Sequence, residues 1–278
     1  MQTIAGYTER VVETRGLWFH VLEWGQQGAP PMVLLHGLTG HAHTWDHVAA
    51  PLSDHYRLLV PDQRGHGDTQ HATTYSTQDF VDDVEALRQA WRLDRFVLMG
   101  LSMGGHNAMA YAHAHPNQVS QLIVVDIPPL LRRDHWPNRE AMERLAIEGH
   151  KPYATFEEAF RDARAGNTTA PDENLAYRTR LNLVQDDDGG LLLKWDPKVQ
   201  VAWDPADLTD RLPEIGMPVL LVRGGKTLVL PEDIAARMVA AFPDAELAEI
   251  PESGHSVPTD RPEDLVAVVR EWLGRRGG

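Results

Sequence analysis

Hydrophobic residues in the first half of the chain fall into short continuous runs, separated by amphipathic or small-residue segments. Strands are predicted where these runs occur, at 17–24, 31–35, 56–60, 96–99 and 119–125. Apolar residues three and four positions apart predict a helix over 77–91, and an alanine-rich segment predicts another over 103–115. Strands that are apolar throughout and alternate with helices are typical of a parallel sheet covered on both faces.

The alternation stops after Asp126 and resumes near residue 214, and the segment in between is mostly polar with helical patterns. The last part of the chain again predicts strands over 217–222 and 245–250 and helices over 231–242 and 260–272. We therefore predict an α/β fold with a mostly parallel, doubly wound sheet of about eight strands. The core is expected to comprise 1–127 and 214–278, with a helical cap over 128–213 inserted between strands six and seven.

Composition narrows the range of partners and compartments. The 278 residues include 26 lysines and arginines against 40 aspartates and glutamates, a formal net charge of −14. Nucleic acids and anionic membranes bind positive surfaces, so neither is expected as a partner. Cysteine is absent, which excludes disulfides, a thiolate nucleophile and a cysteine-based zinc site. No signal peptide or membrane-spanning apolar run is seen, so a cytoplasmic protein is expected, of undetermined oligomeric state.

The segment Gly100-Leu101-Ser102-Met103-Gly104-Gly105 follows a predicted buried strand and opens a predicted helix. A G-x-S-x-G pentad in that setting is typical of a nucleophile elbow, a tight turn that exposes the serine hydroxyl at the edge of the sheet. The helix start behind the serine offers free backbone N–H groups and the positive end of a dipole. The alternative is an ordinary glycine-rich turn that carries a surface serine.

A serine hydroxyl needs a base to become a nucleophile, and His255 is the candidate. It follows the last predicted strand, next to Gly254, and is therefore expected at the same edge of the sheet as Ser102. The helix after it is predicted to begin with Asp260 and Glu263 as a capping pair. The other histidines lack the spacing of a known metal-binding motif, so no metal site is predicted.

A second loop, His36-Gly37-Leu38-Thr39-Gly40, follows the strand at 31–35. A tight turn there directs the backbone N–H of Leu38 towards Ser102. Together with the N–H of Met103, it is predicted to form an oxyanion hole. An ordinary turn at the end of a strand is the alternative interpretation.

With these motifs in place, the chain resembles the α/β-hydrolase fold superfamily over almost its whole length. The resemblance rests on HGLTG at 36–40, DQRGHG at 62–67, GLSMGG at 100–105 and SGHS at 253–256. It implies that the segment 128–213 covers the site as a cap and that the DQRGHG stretch is a structural turn, without chemistry at Asp62 or Arg64. It implies no cofactor.

The acid that orients the histidine is where the sequence departs from that family. In most members it follows the strand predicted here at 217–222, yet no carboxylate occurs there before Glu232 and Asp233. Those two fall in the first turn of the next helix, where acidic residues complement the helix dipole. Asp126, at the end of the preceding strand, keeps the chain order serine, acid, histidine. Asp126 is therefore the predicted acid, with Glu232 and Asp233 as alternatives.

A serine nucleophile argues against the aspartate-nucleophile chemistry of related dehalogenases and epoxide hydrolases, so acyl transfer to water is predicted. The expected substrate is a small to medium, largely apolar carboxylic ester, with lactones and enol-lactones as alternatives. Carbon–carbon bond hydrolysis is a further, less favoured alternative, because the hydrolases of the family that catalyse it resemble N-S-x-G-G at the elbow and carry tryptophan after the histidine, whereas this chain has Leu101 and Ser256. A hypothesis from another class is a hydrolase-like ligand receptor or pseudoenzyme.

Aromatic residues in the predicted cap are candidate substrate contacts. The residues considered are Trp136, Tyr153, Trp195 and Trp203. Packing within the cap is the alternative interpretation, because aromatic residues at such spacings commonly form a core.

Overall fold

A computed structural model describes residues 4–131 and 139–277. Its strands are β1 (Tyr7–Thr14), β2 (Leu17–Trp24), β3 (Pro31–Leu35), β4 (Arg57–Pro61), β5 (Phe96–Leu101), β6 (Val119–Val125), β7 (Leu183–Gln185), β8 (Leu191–Leu193), β9 (Val219–Gly224) and β10 (Ala245–Ile250). All but β7 and β8 form an 8-stranded sheet in the order β1-β2-β4-β3-β5-β6-β9-β10. The pairs β1–β2 and β2–β4 are antiparallel and every other pair is parallel. The predicted fold class is confirmed.

The helices are α1 (Asp46–Leu52), α2 (Thr77–Trp91), α3 (Met103–Ala114), α4 (Arg139–Glu148), α5 (Phe156–Gly166), α6 (Asp172–Leu181), α7 (Lys198–Ala202), α8 (Glu232–Ala241), α9 (Val257–Asp260) and α10 (Pro262–Arg275). Helices α2, α3 and α8 pack on one face of the sheet, and α1 and α10 pack on the other. Both faces of β5 and β9 are therefore buried, which explains why these strands read as continuous apolar runs. Within the described residues, no helix is long and apolar enough to cross a bilayer.

Between β6 and β9, the described chain forms helices α4 to α7 and a two-stranded antiparallel sheet of β7 and β8. The sequence predicted a helical segment here and missed this hairpin. Its turn is closed by Asp186, whose N–H donates to the carbonyl of Gly190, and by Gly189, whose φ of 86° suits glycine. Strands of three residues are too short to produce a readable alternation of apolar and polar positions.

Candidate active site

The carboxyl ends of neighbouring parallel strands bring the predicted site residues together. Ser102 follows β5, Asp126 follows β6, and His255 lies in the loop after β10. The N–H of Ser102 donates to the carbonyl of Val125 at 2.9 Å, and the N–H of Asp126 donates to that of Val222 at 2.8 Å. The sheet register thus continues one residue beyond each strand and fixes the spacing of Ser102 and Asp126.

The three side chains form a continuous hydrogen-bonded chain, the candidate triad. Nε2 of His255 lies 2.9 Å from Oγ of Ser102, and Nδ1 of His255 lies 2.6 Å from Oδ2 of Asp126. With the carboxylate accepting from Nδ1–H, Nε2 is left free to accept the serine proton. Asp126 is fully buried, whereas His255 and Ser102 are part-exposed and accessible to a substrate.

The turn at Ser102 requires glycine on both sides. Ser102 has φ 53° and ψ −123°, a strained conformation that lifts its hydroxyl out of the strand. A Cβ on Gly100 would overlap the carbonyl of Gly104, and a Cβ on Gly104 would overlap the carbonyls of Leu35 and His36. The G-x-S-x-G pattern is therefore a packing requirement of the join between β5 and α3.

Asp126 is held by the turn after β9. Its Oδ1 accepts from the N–H of Gly224 at 3.0 Å, and its Oδ2 accepts from the hydroxyl of Thr227 at 2.6 Å. The alternative acids lie elsewhere: Asp233 pairs with Arg237 on the exposed face of α8, and Glu232 is exposed in the first turn of that helix. Neither makes a hydrogen bond to His255 among the described residues.

The loop after β3 packs directly against the serine. A Cβ built on Gly37 would lie 3.1 Å from Cβ of Ser102, and the N–H of Gly40 closes the turn on the carbonyl of Gly37 at 3.0 Å. The N–H groups of Leu38 and Met103 donate to no acceptor in the described part of the chain. They are available for the oxyanion-hole role that the sequence predicts.

Two buried histidines, His36 within this loop and His66 outside it, hydrogen-bond the loop to the DQRGHG stretch at 62–67. Nε2 of His36 accepts from the N–H of Gln63 at 2.9 Å, and Nε2 of His66 accepts from the N–H of Thr39 at 3.3 Å. Burial lowers the pKa of both rings, that of His66 to about 3, so each stays neutral and can accept these bonds. The DQRGHG stretch therefore acts as a structural brace for the loop.

The predicted capping role of Asp260 is wrong. It was expected to cap α10 together with Glu263, but that helix begins at Pro262 without a side-chain cap. The buried Asp260 instead accepts from the N–H of Gly254 at 2.8 Å, next to His255. It also accepts from Asn167 at 2.8 Å and from Thr169 at 2.6 Å in the segment between β6 and β9. The capping prediction is wrong because these contacts engage the Asp260 carboxylate, and those with Asn167 and Thr169 join segments far apart in the sequence.

A cavity of about 420 Å³ lies beside His255 of the candidate triad. Leu38, His255 and Ser256 line it on the side of the sheet. The facing wall comes from the segment between β6 and β9 and includes the polar side chains of Asp162, Asn167, Arg178, Asn182 and Gln200. This wall is more polar than a pocket for a largely apolar ester would need to be.

Two of the four aromatic residues predicted as substrate contacts line this cavity. Tyr153 and Trp195 line this cavity. Trp203 does not line it but is buried beside Met103, in a small cluster that also holds Tyr75 and Phe80. Trp136 lies outside the described residues. A further cavity of about 550 Å³, between 128–131 and α8, is lined by no residue of the candidate triad.

Comparison with known proteins agrees with this geometry. Residues 30–262 match a family model described as the alpha/beta hydrolase fold. The chain belongs to the α/β-hydrolase fold family. It is 26% identical over 277 residues to 2-(acetamidomethylene)succinate hydrolase of Mesorhizobium japonicum, covering 96% of this chain and 95% of that one. It is 29% identical over 270 residues to N-formylmaleamate deformylase of Pseudomonas putida, covering 94% and 95%.

The solved structure of an esterase from Mycobacterium tuberculosis superposes with a TM-score of 0.85 at 25% identity, covering 97% of this chain and 93% of that one.

Within this α/β-hydrolase, sequence reasoning missed Thr227, although GGKT occupies the turn where the family usually carries its acid. A search for hydrogen-bond donors there, rather than for carboxylates alone, would have found it. Arg178 was also missed, and its sequence context does not distinguish it from the neighbouring Arg180.

Proposed function

We propose that this α/β-hydrolase cleaves carboxylic esters through an acyl-enzyme intermediate on Ser102. The observation that carries the proposal is the unbroken hydrogen-bonded chain from Ser102 through His255 to Asp126. His255 takes the proton of Ser102 as the hydroxyl oxygen attacks the ester carbonyl, and Asp126 stabilises the imidazolium that forms. The N–H groups of Leu38 and Met103 stabilise the oxyanion.

His255 then passes its proton to the leaving alkoxide, which departs as the alcohol and leaves the acyl group on Ser102. A water molecule takes the place of the alcohol, and His255 removes its proton as the water attacks the acyl carbonyl. Collapse of the second tetrahedral intermediate releases the carboxylic acid and returns the proton to Ser102. The partner in this cycle is a small-molecule ester that enters beneath the segment between β6 and β9.

The related proteins support hydrolysis as the reaction class, since they include an esterase, a succinate-derivative hydrolase and a deformylase. Within this reaction class, we propose ester cleavage as the specific reaction. Three features support it: a serine hydroxyl that can act as nucleophile, a histidine that can protonate an alkoxide, and the candidate oxyanion donor Leu38 on the same cavity as His255.

The test is a panel of simple acyl esters and lactones, including p-nitrophenyl butyrate, assayed with the wild type and with Ser102→Ala. We expect turnover by the wild type and a loss of about a thousandfold or more in kcat for Ser102→Ala, with thermal unfolding unchanged. Ligand binding by the wild type without turnover of any compound in the panel would contradict the proposal and favour a receptor. Turnover that survives Ser102→Ala would place the chemistry on another residue.

A further inference from the structure

Arg178 carries a charge that nothing in the described protein neutralises by contact. It lies in α6 and its side chain lines the cavity of about 420 Å³. Within residues 4–131 and 139–277, its guanidinium makes no hydrogen bond and no ion pair, although it offers donors in a planar fork. A part-buried guanidinium without an anionic or carbonyl partner is costly for the fold, so its position calls for a ligand.

The neighbouring arginines of the same segment show the contrast. Arg164 pairs with Asp172 and donates to the carbonyls of Asn167 and Ala170. Arg180, two positions after Arg178, is exposed and stacks on the ring of Phe156 at 4.0 Å. Of these three arginines, only Arg178 lines the cavity.

Within the described structure, neither Asp260 nor Asp162 forms an ion pair with Arg178. Asp260 acts on it only through space, because its carboxylate accepts bonds from Gly254, Asn167 and Thr169. Burial lowers the pKa of Arg178, and the charge of Asp260 opposes that shift. Asp162 lines the same cavity but is exposed and lies beside Tyr153. Burial and the charge of Asp162 both raise the pKa of Tyr153.

The helix that carries Arg178 is tied to the loop that carries the candidate oxyanion donor. Nε2 of His41 lies 3.1 Å from the carbonyl of Arg178, and the side-chain amide of Asn182 donates to the carbonyl of Thr39 at 3.2 Å. Thr39 is next to Leu38. The guanidinium is therefore held on the wall that faces Leu38 and His255, with room for a small molecule between them.

We propose that Arg178 binds a carboxylate of the substrate, so that the enzyme prefers esters carrying a free carboxylate over neutral esters of the same length. This inference rests on the proposed function for the reaction and adds the charge class of the substrate. A carboxylate matches the guanidinium fork in shape and charge. The chain as a whole carries −14, which repels anions, so a local cation is what would make such a substrate bind.

The experiment compares monomethyl adipate with methyl hexanoate, two methyl esters with acyl chains of equal length that differ in the terminal carboxylate. We expect wild-type kcat/KM to favour monomethyl adipate. In Arg178→Gln the ratio of the two kcat/KM values falls by about tenfold to a hundredfold, the usual effect of losing a charged hydrogen bond. Arg180→Gln, the matched control on the same helix, keeps the wild-type ratio. A wild type that favours methyl hexanoate, or an Arg178→Gln ratio equal to that of wild type, would overturn the proposal.

Calorimetric titration of the wild type with adipate gives a reading that depends neither on turnover nor on the folding of a variant. We expect binding that weakens as salt is added, and no binding overturns the proposal. The two proposals fail separately. Hydrolysis of methyl hexanoate without any response to adipate contradicts the carboxylate site alone, whereas adipate binding to a protein that hydrolyses neither ester contradicts the proposed reaction alone.

Discussion

At the residue scale, the position of Asp126 depends on donors that come from a different strand. Its φ of 53° turns the side chain towards the end of β9, where Gly224 and Thr227 each donate one hydrogen bond. With His255 as a further partner, both carboxylate oxygens are engaged while the residue is fully buried. A buried carboxylate held in this way accepts from Nδ1–H of His255 and fixes the histidine in one tautomer.

The first prediction concerns this carboxylate. Asp126→Asn keeps the size of the side chain but presents an amide to Nδ1 of His255, which favours the wrong tautomer. We expect kcat for ester hydrolysis to fall by about a thousandfold to ten-thousandfold. Asp233→Asn, on the exposed face of α8, is the control and should stay close to wild type. A large loss confined to Asp233→Asn would refute the role of Asp126.

At the scale of elements, the end of β9 is in backbone contact with the loop 251–256, the histidine loop, which carries His255. A Cβ on Gly224 would overlap the carbonyl oxygen of Gly254, directly before His255. The N–H of Lys226 donates to the carbonyl of Ser253 at 2.8 Å, which fastens the two segments together. This contact sets the distance between the loop that carries the base and the turn that holds Asp126.

The second prediction follows from that contact. Gly224→Ala should push the histidine loop outward, lowering the free energy of unfolding by about 1–3 kcal/mol and kcat by up to about a hundredfold. Gly274→Ala is the matched control, because a Cβ there, on α10, meets nothing within 4 Å. It should raise stability by up to about 1 kcal/mol through helix propensity, with activity unchanged. Thermal unfolding and ester turnover measure both, and a Gly224→Ala protein as stable and active as wild type would contradict the packing argument.

The sequence predicted those elements whose signal is local. Strands β2, β3, β6 and β10 have the predicted bounds, because glycine, proline or a charged residue follows each of them within two positions. Strand β1 was missed since most of its side chains are exposed and polar, as expected for a strand at the edge of the sheet. The motifs and their chain order identified Ser102 and His255, whereas Thr227 and Arg178 depend on contacts between distant segments that no local pattern contains.

At the scale of the whole molecule, polar contacts fasten the segment between β6 and β9 to the sheet domain. The hydroxyl of Tyr177 donates to Asp46 at 2.7 Å, and the hydroxyl of Tyr75 donates to Asp196 at 2.7 Å. Nε2 of His106 lies 2.8 Å from the carbonyl of Ala206. These bonds keep the wall that carries Arg178 at a fixed distance from the candidate triad.

Several buried histidines make this assembly sensitive to acid. Burial lowers the pKa of His36, His41, His66 and His106, the last to about 4. Below the ordinary histidine pKa of about 6.5, these histidines bind protons in the unfolded chain but stay neutral in the folded protein. The free energy of unfolding therefore falls as pH falls. Desolvation lowers the pKa of His20, but the buried contact with Asp62 outweighs it and raises this pKa, which opposes the effect at that position.

The third prediction isolates one of these groups. His106→Asn removes a ring whose folded pKa is about 4. Between pH 6.5 and 4, the decline of unfolding free energy with falling pH should therefore be shallower than in wild type by about 1 kcal/mol per pH unit. Denaturant unfolding across that range measures the slope, with His55→Asn at an exposed position as the control. Equal slopes in His106→Asn and wild type would contradict the neutral buried state of this ring.

Every proposed step of catalysis depends on the activation of Ser102 by His255, which can be measured without knowing the substrate. A fluorophosphonate reacts with an activated serine, and peptide mass spectrometry locates the adduct. We expect a single adduct on Ser102 in the wild type and, in His255→Ala, labelling slowed by about a thousandfold or more. An adduct on another residue, or equal labelling rates in the two proteins, would contradict it.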